Sequence, residues 1–288
     1  MDELFPELTC QTGETVSFDG TRLFTRSYKP AKPDKAVFLV VQGLAEHSGR
    51  YEHVADFLTK AGYFFETFDL RGHGKSGGAR IYINSFDEYL RDLDLMLSEV
   101  NRNHPRLPVF LFGHSMGGTI ATLFTITRKP AIDGLILSAP SLKISDSISP
   151  FLVKIAPVIG KLFPKLPTIV LDKNAISRDP AVVRKYDEDP LNYRGGIPAR
   201  TGAELNHAIK RIALHMETLD LPLLIMQGTV DRLSDIRGSQ MLFDLAKSED
   251  KTFNRYDGFY HEILNDPEKL RVLTDIRDWL DARCGAAG

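Results

Sequence analysis

Apolar positions along the chain fall into two alternating rhythms. Short, nearly unbroken runs at 36–41, 63–68, 109–112, 135–137 and 223–226 predict strands buried on both faces, as in a parallel sheet. A more polar run at 252–256 fits a strand nearer the edge. Between these runs apolar residues recur at three- and four-residue spacing. Phe86, Tyr89, Leu90, Leu93, Leu97 and Val100 form one such stripe, and Val54, Phe57 and Leu58 another. Helices are also predicted over 117–128, 239–247 and 267–284. Strands alternating with helices imply crossover units, hence an α/β fold with a mostly parallel central sheet flanked by helices. Near the N-terminus the rhythm differs: 14–18 and 21–28 flank Asp19-Gly20, a dipeptide suited to a tight hairpin turn.

The alternation stops between about 141 and 207, where proline is frequent and no clear strand appears. Pro157 is expected to kink or end any helix within the apolar stretch 148–163. The segment reads as a helical cap inserted into a core formed by 1–140 and 208–288. Loops at the carboxyl ends of parallel strands border the ligand crevice, which places a cap there over its mouth.

Charge narrows the function. The 36 basic and 38 acidic residues leave a formal charge of -2, without the basic excess a nucleic-acid binder needs. Cys10 and Cys284 are the two cysteines, and no Cys/His spacing suggests zinc. They read as free thiols of a reducing compartment. The acidic N-terminus lacks the pattern of a signal peptide, and the longest apolar run, 36–41, is too short to cross a bilayer. These features point to a cytoplasmic protein whose membrane contact, if any, is peripheral. Oligomeric state is not legible.

The sharpest local signal is Gly113-His114-Ser115-Met116-Gly117, directly after a predicted strand and before a predicted helix. In that context G-x-S-x-G is a nucleophile elbow, where a strained turn projects the serine hydroxyl and the glycines admit neighbouring backbone. Such a serine needs a base oriented by a carboxylate, in the chain order Ser, Asp or Glu, His. Asp231 follows the predicted strand 223–226; Asp235 and Asp257 are its rivals. His261 follows the strand 252–256, whereas His207 and His215 fall in or just after the cap. The oxyanion hole requires two backbone N–H groups, here assigned to Met116 and, after the first buried strand, Leu44. This chemistry calls for no metal or cofactor.

With these residues placed, the chain resembles the monoacylglycerol lipases, within the lysophospholipase-like group of α/β-hydrolases. The matching stretches are Gly43-Leu-Ala-Glu-His-Ser-Gly-Arg-Tyr51, Asp69-Leu-Arg-Gly-His-Gly-Lys-Ser76, the serine elbow, Gly228-Thr-Val-Asp-Arg-Leu233 and Leu245-Ala-Lys-Ser-Glu-Asp-Lys251. The resemblance covers about residues 14–282, is weakest across the cap, and implies release of a fatty acid from glycerol. Gln42 stands where the family usually has histidine, which bears on the rigidity of the oxyanion loop. By analogy Glu46, Arg50 and Tyr51 border the glycerol end of the pocket; alternatively Arg50 and Glu46 pair across the loop and Tyr51 starts a helix. The Asp69-Leu-Arg-Gly-His-Gly stretch reads as structural.

Ile148, Phe151, Leu152, Ile155, Val158, Ile159 and Leu162 in the cap suit an acyl chain, a lipid surface, or inward packing. The implied partner is a lipid-like ester. A lysophospholipase, carboxylesterase or acyltransferase shares every residue named. An aminopeptidase needs an acidic cap site for the substrate amine, and a non-catalytic ligand-binding protein is the alternative outside enzymes.

Overall fold

The computed structural model describes residues 8–31, 35–144 and 150–284, and the side chains of 150–154 lie outside that description. Eight strands form one sheet: β1 (Cys10–Val16), β2 (Arg22–Tyr28), β3 (Val37–Val41), β4 (Phe64–Phe68), β5 (Val109–His114), β6 (Gly134–Ser138), β7 (Leu223–Gly228) and β8 (Lys251–Tyr256). Their order is β1-β2-β4-β3-β5-β6-β7-β8. The pairs β1–β2 and β2–β4 are antiparallel, and all later neighbours are parallel. The α/β class read from the alternation is therefore the observed one.

The parallel strands are apolar at consecutive positions because both faces are covered. Val37, Leu39 and Val41 point into one core with Leu111, Leu135 and Ile225. Phe38 and Val40 point into the other with Phe110, Phe112, Ile136 and Leu224. Helices α2 (Asp87–Asn103), α3 (Met116–Arg128) and α7 (Ile236–Leu245) cover the first face, while α1 (Glu52–Lys60) and α8 (Lys269–Asp281) cover the second.

The hairpin turn is longer than the two residues its sequence suggests. Ser17 N–H donates to the Thr21 carbonyl and Gly20 N–H to that of Ser17, so the ladder stops at Val16. The Ser17 hydroxyl is drawn off to Asp92, which also takes two hydrogen bonds from Arg71. Arg71 further donates to Asp19 and Glu88, so this part of the Asp69-Leu-Arg-Gly-His-Gly stretch braces the sheet edge.

Between β6 and β7 lie α4 (Pro150–Leu162), α5 (Pro180–Glu188) and α6 (Ala199–Ala213). Pro157 does not end α4, although it removes one backbone donor. The helix packs against α6. A Cβ on Gly160 would lie 3.1 Å from both the Ala199 carbonyl and Ala203 Cβ, so the two helices are in close contact. The expected boundary at 207 falls inside α6. That helix is continuous because its last turns, with Ala208 and Ile212, belong to the core while Ala199 and Ala203 in its earlier turns pack on α4.

Candidate active site

Ser115 sits between the end of β5 and the start of α3 with φ 53° and ψ -118°, a left-handed backbone that a serine adopts only under tight constraint. The constraint is visible in its surroundings. Ser115 N–H donates to the Ser138 carbonyl, and the Ser115 carbonyl accepts from Ser141 and Thr119. A Cβ on Gly117 would lie 2.2 Å from the Val41 carbonyl, and one on Gly113 would lie 2.4 Å from the Gly117 carbonyl. Both glycines are therefore required by close backbone approach.

Asp231 and His261 arrive from the ends of β7 and β8. His261 Nδ1 lies 2.9 Å from Asp231 Oδ2. The same carboxylate accepts from Gln227 Nε2 and from the backbone amides of Leu233 and Ser234, leaving no lone pair facing an apolar wall. Burial pushes the Asp231 pKa up, but the His261 ring and these donors outweigh it and hold the carboxyl below its ordinary range. For His261 burial works against protonation; Asp231 overcomes it, with help from Glu262 and Glu46, and the pKa is raised. With Nδ1 donating to Asp231, Nε2 is the ring nitrogen left to receive a proton. The His114 ring packs on His261 at 4.8 Å between centroids, and burial holds His114 neutral, with a pKa of about 4.

Ser115, His261, Leu44 and Met116 line one cavity of about 390 Å³. Among the described residues no hydrogen bond joins Ser115 Oγ to His261, a contact that in unliganded sites often tightens only with substrate. The Leu44 and Met116 amides likewise have no acceptor among the described residues. Met116 also opens α3, whose N-terminal dipole favours negative charge at that point. Among the described residues no cluster of His, Cys, Asp and Glu side chains is arranged to hold a metal ion.

The loop after β3 is braced from within. Gln42 is fully buried, and its Nε2 donates to the Glu46 carbonyl at 2.7 Å, so this residue ties the turn together. Gly43 N–H donates to Glu46 Oε1 at 2.6 Å, which leaves the next amide, that of Leu44, at the cavity. Tyr51 donates to the same oxygen, and Arg50 Nη1 donates to Glu46 Oε2. Glu46 thus reaches the cavity wall, whereas Arg50 and Tyr51 stand behind it, engaged in the pairing across the loop. Ala45 adopts a left-handed φ of 68°, and its carbonyl accepts from Tyr193 N–H and from the Tyr186 hydroxyl on α5.

Of the cap residues singled out in the sequence, Ile159 lines the cavity, Ile155 is half-buried away from it, and Val158 and Leu162 are exposed and do not line it. Ile148 lies outside the described residues, as do the side chains of Phe151 and Leu152. Much of the apolar wall instead comes from Ile169, Leu171, Ile176, Leu205 and Ile209. Leu205 and Ile209 sit four apart on α6, a spacing legible in the sequence, but a boundary drawn at 207 separates them. His114, Glu262 and Tyr186 were also missed, since their relevance depends on neighbours distant in the chain.

Comparison with known proteins gives the family. A family model described as serine aminopeptidase S33 matches residues 32–268. The monoacylglycerol lipase of Mycolicibacterium smegmatis is 37% identical over 261 residues, covering 91% of this chain and 93% of its own. The chain belongs to the monoacylglycerol lipase family. Another member of that family, human monoglyceride lipase, is 37% identical over 276 residues, covering 95% of this chain and 91% of its own. The crystal structure of Paleococcus ferrophilus monoacylglycerol lipase superposes with a TM-score of 0.81 at 34% identity, covering 90% of this chain and 98% of that one. Membership of the lipase family makes the chain a carboxylic-ester hydrolase of the α/β-hydrolase fold.

Proposed function

We propose that the chain hydrolyses monoacylglycerols through an acyl-enzyme on Ser115. His261 Nε2 takes the Ser115 proton as the hydroxyl oxygen attacks the ester carbonyl, while Asp231 keeps the ring oriented and stabilises the imidazolium. The Leu44 and Met116 amides receive the carbonyl oxygen as it becomes negative. The tetrahedral species collapses with transfer of the proton from His261 to the departing glycerol oxygen. Water then repeats the sequence on the acyl-enzyme, releasing the fatty acid and restoring Ser115.

The observation that carries this reading is the Asp231–His261 hydrogen bond at the wall of the apolar cavity into which Ser115 opens. An acyl chain suits the wall of Ile159, Ile169, Leu205 and Ile209, and the relatives named above are lipases of this substrate. Residues 141–207, together with the rest of α6, act as the cap that supplies this wall. Val158, Leu162 and Phe163 are 59%, 65% and 62% exposed, an outward apolar surface suited to resting on lipid. Among the described residues no helix is long and apolar enough to cross a membrane.

A fluorophosphonate probe is expected to label wild type and not Ser115→Ala, with ester turnover in the variant falling by about a thousandfold or more. Release of fatty acid is expected to be faster from long-chain monoacylglycerols than from lysophospholipids, short esters or aminoacyl amides. Faster cleavage of a lysophospholipid would move the assignment to that substrate, and faster cleavage of the amide would move it to a peptidase.

A further inference from the structure

The loop that presents the Leu44 amide and the loop that presents His261 come from opposite halves of the chain, and a buried guanidinium joins them. Arg50 Nη1 donates to Glu46 Oε2 at 2.8 Å and to Glu262 Oε1 at 2.6 Å, while Arg50 Nη2 donates to Glu262 Oε2 at 2.7 Å. The side chains of Arg50, Glu46 and Glu262 are 11%, 5% and 6% exposed, so these contacts are shielded from solvent and salt. Glu46 passes the connection to Gly43 N–H, the amide directly before Leu44, and Glu262 directly follows His261. The Arg50 guanidinium also lies over the Tyr186 ring at 5.0 Å, and Glu262 N–H donates to the Ile176 carbonyl, which fixes both ends against the cap.

We infer that Arg50, Glu46 and Glu262 are positioning residues that set the distance between the oxyanion-hole amide and the catalytic base. The inference rests on the assignment of Ser115, His261 and Leu44 made above. Its physical basis is geometric: a planar guanidinium has donors enough to hold two carboxylates at once, which a point-charge ammonium cannot do with the same rigidity. The bridge has an electrostatic consequence as well. The groups facing His261 are Asp231, Glu262, Glu46 and the neutral His114, with Arg50 beyond the two glutamates. Burial pushes the Glu262 carboxyl up, but Arg50 and the Asn265 amide outweigh it and hold the pKa at about 2, so Glu262 is an anion throughout the working range. Two carboxylates and one guanidinium leave an excess negative charge behind the imidazole, and this favours the imidazolium that forms during attack.

Glu262→Gln and Arg50→Lys separate geometry from charge. Turnover, KM, the pH profile of kcat/KM and the melting midpoint are measured for both. Glu262→Gln is expected to lower kcat about tenfold to a hundredfold, the cost of misplacing reacting groups. KM should stay within about twofold, and the acid limb of kcat/KM should move to lower pH. That direction follows because a removed anion makes the imidazolium harder to form, and catalysis needs neutral His261. Arg50→Lys keeps its charge, so kcat falls similarly while the acid limb stays in place; Glu46→Gln tests the bridge if either variant does not fold. Unchanged kcat, or a fall in kcat with the acid limb of Glu262→Gln unmoved, overturns the inference. Wild-type activity in Ser115→Ala would instead remove the active-site assignment on which it rests.

Discussion

Gly228 lacks a side chain because of a loop that belongs to the next strand. It ends β7, and a Cβ there would lie 2.2 Å from the Phe259 carbonyl and 2.5 Å from that of Tyr260, the two residues that lead into His261. The approach is backbone on backbone, so no side chain can swing away to relieve it. Gly228→Ala is therefore expected to displace His261 relative to Ser115. Unfolding in urea should show a loss of about 1–3 kcal/mol, as for other overpacked sites, and kcat should fall by about tenfold or more. Equal kcat in variant and wild type would show that the His261 loop adjusts without moving the ring. At this scale Ser115, Asp231 and His261 stood out in the sequence because each follows a recognisable strand in an order that the chemistry requires, and the fold brings Asp231 to His261 beside the cavity that Ser115 lines. Glu262 was not, although it adjoins His261. An acidic residue in a loop ordinarily faces water, and only the fold shows Arg50 meeting it.

Elements were legible where burial on one side or both imposes a period. β3, β5, β6 and β7 announce themselves as apolar runs, and α2 by its stripe. The hairpin turn was misjudged in length because Ser17 is recruited by Asp92 on α2, a partner that local propensity does not contain. α4 was harder for a different reason: Pro157 argues against a helix locally, whereas packing against α6 sustains one. Its exposed residues make a prediction of their own. Val158→Asp with Leu162→Asp places two charges on the outward face, away from the cavity wall. Co-sedimentation with phospholipid vesicles is expected to weaken by at least about tenfold, because burying each apolar side chain contributes on the order of 1.5–3 kcal/mol. Hydrolysis of a short water-soluble ester should stay unchanged. Undiminished sedimentation would mean that another surface meets the lipid.

For the whole molecule, the sequence gives the number and sense of the parallel strands, while their lateral order emerges only with the coordinates. The order matters because it gathers the ends of β3, β5, β7 and β8 along one rim, where residues from 44 to 261 meet. The continuity of α6 across 207 was not legible, since this helix carries apolar residues for two destinations on one continuous stripe. Ala208 and Ile212 complete the core, Leu205 and Ile209 face the cavity, and no turn separates them.

That undivided helix limits how the chain can be recombined. A chimera taking 141–207 from a relative of different chain-length preference would splice two half-helices whose faces were selected against different neighbours. Moving the crossover past Ala213 transplants the whole of α6 and puts the join in the connection before β7, at the cost of importing a few residues of foreign core. The second design is expected to retain the host's melting midpoint more closely than the first, as read by thermal denaturation. In this architecture the cavity wall and the cohesion of the core are inherited together.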